Sequence, residues 1–168
     1  MSLPSVDLPM ATYERETFID APLSVVWRFH SNADGLRALT PDWMGLEVEA
    51  IRGPHGDPNP EELVVGSEID LRMRPFGVLP GGEWTSKITE RGYDGESAMF
   101  RDVMVEGPFA RWVHTHQFAA EDGGTRLRDT VNYELPPGAL GRRLSPVGVV
   151  GFEPMFRHRH RVTKELLE

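Results

Sequence analysis

Apolar positions along the chain follow two kinds of spacing, and the change from one to the other predicts the order of elements. Thr12–Ile19 alternates loosely. Tyr13, Arg15, Thr17 and Ile19 share one face, and Glu14, Glu16 and Phe18 share the other, as in a first strand of mixed character. Asp20-Ala21-Pro22 then offers a capping carboxylate and a proline suited to a first helical turn. Val25, Val26, Phe29 and His30 follow at helical spacing, predicting a short helix. A second short helix follows Asp34 and stops at the Thr40-Pro41 step. Pro41-Asp42-Trp43-Met44 is a connector whose large apolar side chains cover an edge of the core.

From Gly45 the period drops to two. Leu46, Val48 and Ala50 form one set, and Ile69, Leu71 and Met73 a second, with a turn-rich loop over residues 53–60 between them. Trp84, Ser86 and Ile88 follow, then Ala98, Phe100, Asp102 and Met104. Trp112, His114, His116 and Phe118 come next, then Leu127, Asp129, Val131, Tyr133 and Leu135. Glu106-Gly107-Pro108 and Asp122-Gly123-Gly124 are hairpin turns between the later sets. After Pro136-Pro137-Gly138 the pattern is helical to the end. Ser145-Pro146 is expected to cap it and Pro154 to bend it. The predicted fold is α+β: a curved antiparallel sheet of about seven strands, two short helices, and a long C-terminal helix over the concave face. Residues 1–11 are expected to form a flexible arm and 12–168 a single domain.

Composition narrows the function classes. The chain has 168 residues and no cysteine, which excludes disulfides, thiolate metal sites and cysteine nucleophiles. The longest apolar run, Val147–Phe152, is far below the ~20 residues of a membrane span. The N-terminus lacks the basic and apolar regions of a signal peptide, so a cytoplasmic location is expected. The formal net charge is −8, with 13 acids and 4 bases in residues 1–70. That balance argues against a nucleic-acid partner, and the Arg157, Arg159, Arg161 and Lys164 cluster is diluted by Glu153, Glu165 and Glu168.

Three segments carry a family resemblance: Thr40–Met44; Phe100-Arg101-Asp102 through Gly107-Pro108-Phe109, Trp112, His114, His116 and Phe118; and Asp129–Tyr133 with Pro136, Gly138, Phe156 and Arg159. With the element order, they make the chain similar to the START-like, or polyketide cyclase/dehydrase-like (SRPBCC), superfamily, and most of all to its small stand-alone members. The resemblance covers nearly everything from Thr12. It implies a helix-grip fold with a cavity between sheet and terminal helix that takes a lipid, sterol, polyketide or similar molecule. Some members are cyclases, so the resemblance does not select an activity.

Strand parity takes the chemistry further. His114 and His116 point the same way as Trp112 and Phe118, hence inward, while Arg111, Val113, Thr115 and Gln117 read as the solvent face. The two tight turns bring Asp102 to His114 and His116 to Asp129, at cross-strand separations of ~5 Å. A helical wheel over Pro146–Leu167 puts Phe152, Met155, Phe156, Val162 and Leu166 on one apolar face, with Arg159 among them and His160 opposite. A buried arginine needs a carboxylate, and Asp102 and Asp129 are the candidates.

This cluster admits four readings: a structural network, polar orientation of an apolar ligand, acid–base catalysis by an Asp–His pair, and a cupin-like metal site at His114 and His116. The preferred one is a binding module for a small or medium hydrophobic ligand, as a monomer or weak homodimer without cofactor. Its expected lining is Trp84, Phe100, Asp102, Trp112, His114, His116, Phe118, Asp129, Tyr133, Met155 and Arg159. The enzymatic alternative is a cyclase, dehydratase or isomerase acting on a carbonyl or polyketide-like substrate through His114, His116, Asp102 and Asp129. A metal is not expected, because two carboxylates already account for both histidines. His158 and His160 cannot chelate together, since they diverge by roughly 200° on a helix.

Overall fold

The computed structural model describes residues 10–74, 82–136 and 138–168, the side chains of Met44 and of residues 139–150 excepted. Seven strands form one antiparallel sheet: β1 Ala11–Ile19, β2 Leu46–Arg52, β3 Glu68–Met73, β4 Gly82–Tyr93, β5 Ser97–Glu106, β6 Arg111–Glu121 and β7 Gly124–Glu134. Their spatial order is β1-β7-β6-β5-β4-β3-β2, so consecutive strands pair except where β1 joins β7. Helices α1 (Leu23–His30) and α2 (Ala33–Ala38) and a single 3-10 turn (Asp42–Met44) fill the connection from β1 to β2. Helix α3 (Ala139–Leu167) follows β7. This is the helix-grip architecture. The expected N-terminal arm lies outside the described residues except at its end, where Ala11 already pairs with Tyr133.

Turn chemistry fixes the register of the later strands. Asp122 and Gly123 both have positive φ, 49° and 83°, which matches the right-handed twist of a two-residue hairpin. The pairing runs Asp102↔His114 between β5 and β6, and His116↔Asp129 between β6 and β7. Strand β4 carries an irregularity between Ile88 and Glu90. Ile88 pairs with Asp102 and Arg91 with Phe100, so one extra residue, Thr89, sits on the β4 side. Ahead of it Ser86 and Ile88 face inward. Beyond it Arg91 and Tyr93 lie toward Trp27, the first over its ring at 4.9 Å and the second, half exposed, stacked on it at 5.9 Å.

Four details differ from the sequence reading. Helix α1 buries Leu23, Val26, Trp27 and His30, not Val25 and Phe29, because its axis turns the Trp27 side onto Phe118 and Phe100. Helix α3 begins at Ala139 and runs through Pro146 and Pro154, so Ser145-Pro146 is not its start. Its buried side is Phe152, Phe156, His160 and Thr163, while Leu166 is 56% exposed. The wheel is therefore rotated by about one position, and a hydrophobicity ranking misses it because one inward residue is a histidine. Thr115, expected in solvent, is buried beneath Arg101, which donates Nε–H to its hydroxyl at 3.1 Å.

Candidate functional site

Buried aromatic packing fills one part of the concave face. Phe118 sits with Trp27, Ile19 and Leu127, and Tyr133 sits with Phe152, Phe156 and Val131. Elsewhere the same face is hollow. A cavity of about 100 Å³ lies between strands β2–β6, α1, α2 and α3. Its apolar wall includes Leu71, Trp84, Ile88, Phe100, Trp112 and Met155, and its polar end is Ser86, Asp102, His114, His116, His30 and Arg159. Of the residues expected to line a ligand site, Trp84, Phe100, Asp102, Trp112, His114, His116, Met155 and Arg159 do line this cavity. Phe118, Tyr133 and Asp129 stand behind its wall, the first two as packed core and the third beneath the histidines. A wider surface depression over Tyr93, Asp94 and Gln117 is open, and its Glu16, Arg126 and Arg128 are already paired with one another.

Strand β6 places His114 and His116 side by side, with ring centroids 3.8 Å apart. Asp129, from β7, meets both. His114 Nε2 donates to its Oδ1 at 2.9 Å. His116 Nδ1 lies 2.7 Å from the same oxygen, in contact but off the axis of its own N–H. His160 on α3 reaches the other oxygen, Nε2 to Oδ2 at 2.6 Å. Burial alone pushes the Asp129 carboxyl up, but the close His116 ring and the bonds from His114 and His160 hold it well below the ordinary range. Burial, then the neighbouring His114, drives His116 well below the usual imidazole value.

Asp102, from β5, is treated differently. Ser86 donates its hydroxyl to Oδ1 at 2.5 Å. Oδ2 faces His114 Nδ1 at 3.6 Å and His116 Nε2 at 3.8 Å, beyond hydrogen-bond length. The expectation that each carboxylate satisfies one histidine is thus corrected: Asp129 takes both. Burial raises the Asp102 carboxyl against the pull of His114, Ser86 and Arg159.

The expected Arg159 ion pair does not form either. Its guanidinium bonds to no described residue; burial lowers its pKa while Asp129 and Asp102 attract it from a distance. His160, read from sequence as outward, holds the acid instead. The reason is reach: His160 sits on the side of α3 that faces β7, and Arg159 is turned one position toward the cavity. His30 and Ser86 were not among the expected site residues. Both carried a sequence signal, His30 in the α1 stripe and Ser86 between Trp84 and Ile88. His30 gives Nδ1–H to the Val26 carbonyl at 2.9 Å, and burial lowers its pKa to about 4, so a neutral ring faces the cavity.

Solved structures share the architecture. TTHA0849 from Thermus thermophilus is 22% identical, covering 92% of this chain and 95% of that one, with a TM-score of 0.63. Ginseng major latex-like protein 151 from Panax ginseng is 14% identical over 96% of this chain and 99% of that one, at 0.66. Norcoclaurine synthase from Thalictrum flavum is 18% identical over 95% and 87%, at 0.65. These likenesses establish the fold. No curated protein matches the chain in sequence. Among the described residues, no helix is long and apolar enough to cross a membrane. The family described as polyketide cyclase / dehydrase and lipid transport matches residues 19–147, most of the chain, and the protein belongs to that family.

Proposed function

We propose that the protein binds a small, largely apolar molecule carrying one polar oxygen, in the cavity between the sheet and α3. The observation that carries this reading is the division of that cavity into an apolar wall and a compact polar end. Family membership supports ligand binding in general terms. Norcoclaurine synthase, of the same fold, has been solved with dopamine and hydroxybenzaldehyde bound.

Size limits the ligand. A cavity of about 100 Å³ is smaller than the ~150 Å³ known to take benzene, and far smaller than the ~300–1,000 Å³ of drug-sized sites. A single ring or a short branched chain is the natural occupant, with Met155 giving way as the side chain with most conformational freedom. A sterol or a folded polyketide needs a larger rearrangement. Arg159 and the His30 ring are the groups that meet the ligand's oxygen.

The test is a panel of phenols, benzaldehydes, indoles and short fatty acids, followed by the indole N–H resonances of Trp84 and Trp112. Binding in the cavity shifts those two resonances, and Met155→Trp, which fills the space, abolishes the shift. Binding that survives Met155→Trp with Trp84 and Trp112 undisturbed places the ligand elsewhere and overturns the reading.

A further inference from the structure

The polar end of the cavity has an arrangement that apolar ligand binding does not explain. His114 Nε2 and His116 Nδ1 are turned toward Asp129, at 2.9 and 2.7 Å. In neutral imidazoles the proton then sits on that side. The opposite nitrogens, His114 Nδ1 and His116 Nε2, are left with lone pairs. Both lone pairs face Asp102 Oδ2, itself an acceptor, at 3.6 and 3.8 Å. With Asp102 ionised, three acceptors converge without a donor, and a cation among them would relieve their repulsion.

Their spacing suits one. One donor atom from each of Asp102, His114 and His116 lies within 4.8 Å of the others. Two ligands at ~2.0–2.2 Å from a common ion are roughly 3.0–3.4 Å apart, so the two carboxylate–imidazole distances of 3.6 and 3.8 Å need to close by only a few tenths of an ångström to reach the upper end of that range. The support around these atoms is also that of a metal site. Asp129 orients both ligating rings from behind, and Ser86 fixes the other oxygen of Asp102 at 2.5 Å. Phe100 stacks on the His116 ring at 4.0 Å, and Phe156 meets the His114 ring edge-on at 5.2 Å. All three ligands line the cavity, which leaves the remaining coordination positions facing its interior.

We propose that Asp102, His114 and His116 bind one divalent first-row transition ion of the zinc or iron(II) class, with Asp129 as the positioning carboxylate. Two imidazoles and one carboxylate with open positions suit such ions, and the absence of thiolate disfavours softer ones. Two carboxylates against the one guanidinium of Arg159 leave a net negative charge for the ion to offset. The open positions would take a carbonyl or hydroxyl oxygen. The site is independent of whether an apolar molecule enters the cavity, since its ligands belong wholly to the chain.

The experiment uses full-length protein stripped by chelator dialysis and titrated with cobalt(II), then zinc, iron(II) and manganese(II). One equivalent of cobalt is expected, with visible d–d absorption and two exchangeable imidazole N–H protons shifted by the paramagnetic ion. Asp102→Asn and His116→Gln should weaken uptake by on the order of 100-fold or more, and Asp129→Asn by ~10–100-fold as an outer partner. His55→Ala, at an exposed histidine, should change nothing. Failure of all four ions to reach a stoichiometric equivalent overturns the proposal, as does equal uptake by folded Asp102→Asn. Should a variant not fold, the wild-type spectrum decides, because cobalt bound without shifted imidazole protons also overturns it.

Discussion

Asp129 and Asp102 flank the same pair of histidines from opposite sides, and the fold treats them in opposite ways. Asp129 is buried on the packed side of the concave face, among Phe118, Phe156 and Val131, and meets three imidazoles. Asp102 opens onto the hollow side and holds one hydroxyl. A saturated carboxylate ties sheet to helix. An unsaturated one beside a cavity keeps its capacity for something else. Burial alone does not separate an anchor from a site; the count of donors does.

The largest test of this contrast is to neutralise each acid in turn. Asp129→Asn leaves three ring N–H groups facing an amide, and breaking a buried cluster of this kind costs ~3–5 kcal/mol. Asp102→Asn removes a charge that burial already disfavours and should cost less than ~1 kcal/mol. Urea denaturation of the two variants measures the difference, and equal costs would dissolve the distinction.

A pH titration comes next. His30 is buried, with its pKa lowered to about 4 chiefly by desolvation, and it faces Asp129, Arg159 and His160. Between pH ~6.5 and ~4 the unfolded chain takes up a proton at this position and the native protein does not, so stability falls as pH drops through that window. The contribution is about 3 kcal/mol. His30→Leu should reduce the slope of the denaturation midpoint over the same range, leaving the part that the similarly depressed His116 contributes; an unchanged slope would mean the His30 ring is protonated in the native state.

A smaller effect concerns packing. A Cβ on Gly124 would stand 2.4 Å from Phe18 Cζ and 2.5 Å from the Ile19 carbonyl oxygen, so Gly124→Ala should cost ~1–3 kcal/mol. Gly92 has nothing within 4 Å of that position, and Gly92→Ala should be neutral or slightly stabilising. Thermal melts of the two decide how tightly the β1–β7 corner is closed. The last expected effect, of opposite sign, is at Arg159. Its guanidinium has no partner among the described residues and burial disfavours its charge, so Arg159→Met should not destabilise the protein. A large loss would mean an ion pair forms in solution.

Most of the fold was legible because period-two spacing and two glycine turns dictate an antiparallel register. The four residues Asp102, His114, His116 and Asp129 came together from that register alone. The contacts of α3 were not legible. Arg159 and His160 are adjacent on a helix and differ by about 100° in direction. Which of them reaches Asp129 depends on the roll of α3, and the apolar stripe alone puts that roll about one position away from where it lies. Glu153 settles the roll from outside, accepting from Tyr13 at 2.7 Å and Arg15 at 2.5 Å on β1. Those partners are some 140 positions away in sequence. The cavity was only half legible, since alternation says which side chains face inward but not which of them meet.

Thr89 gives β4 a property like that of a reading frame. Ahead of it the even-numbered residues look inward, and beyond it the odd-numbered ones do. Deleting this one exposed residue would shorten the chain by less than ~4 Å, yet one end of the strand would have to turn over. Either Trp84, Ser86 and Ile88 leave the cavity wall, or Arg91 and Tyr93 abandon Trp27. Substitutions at Thr89 are therefore tolerable in a way that its loss is not. An insertion or deletion within residues 84–93 should be far more damaging than one within the loop at 53–60, although both segments belong to the same run of chain through the sheet.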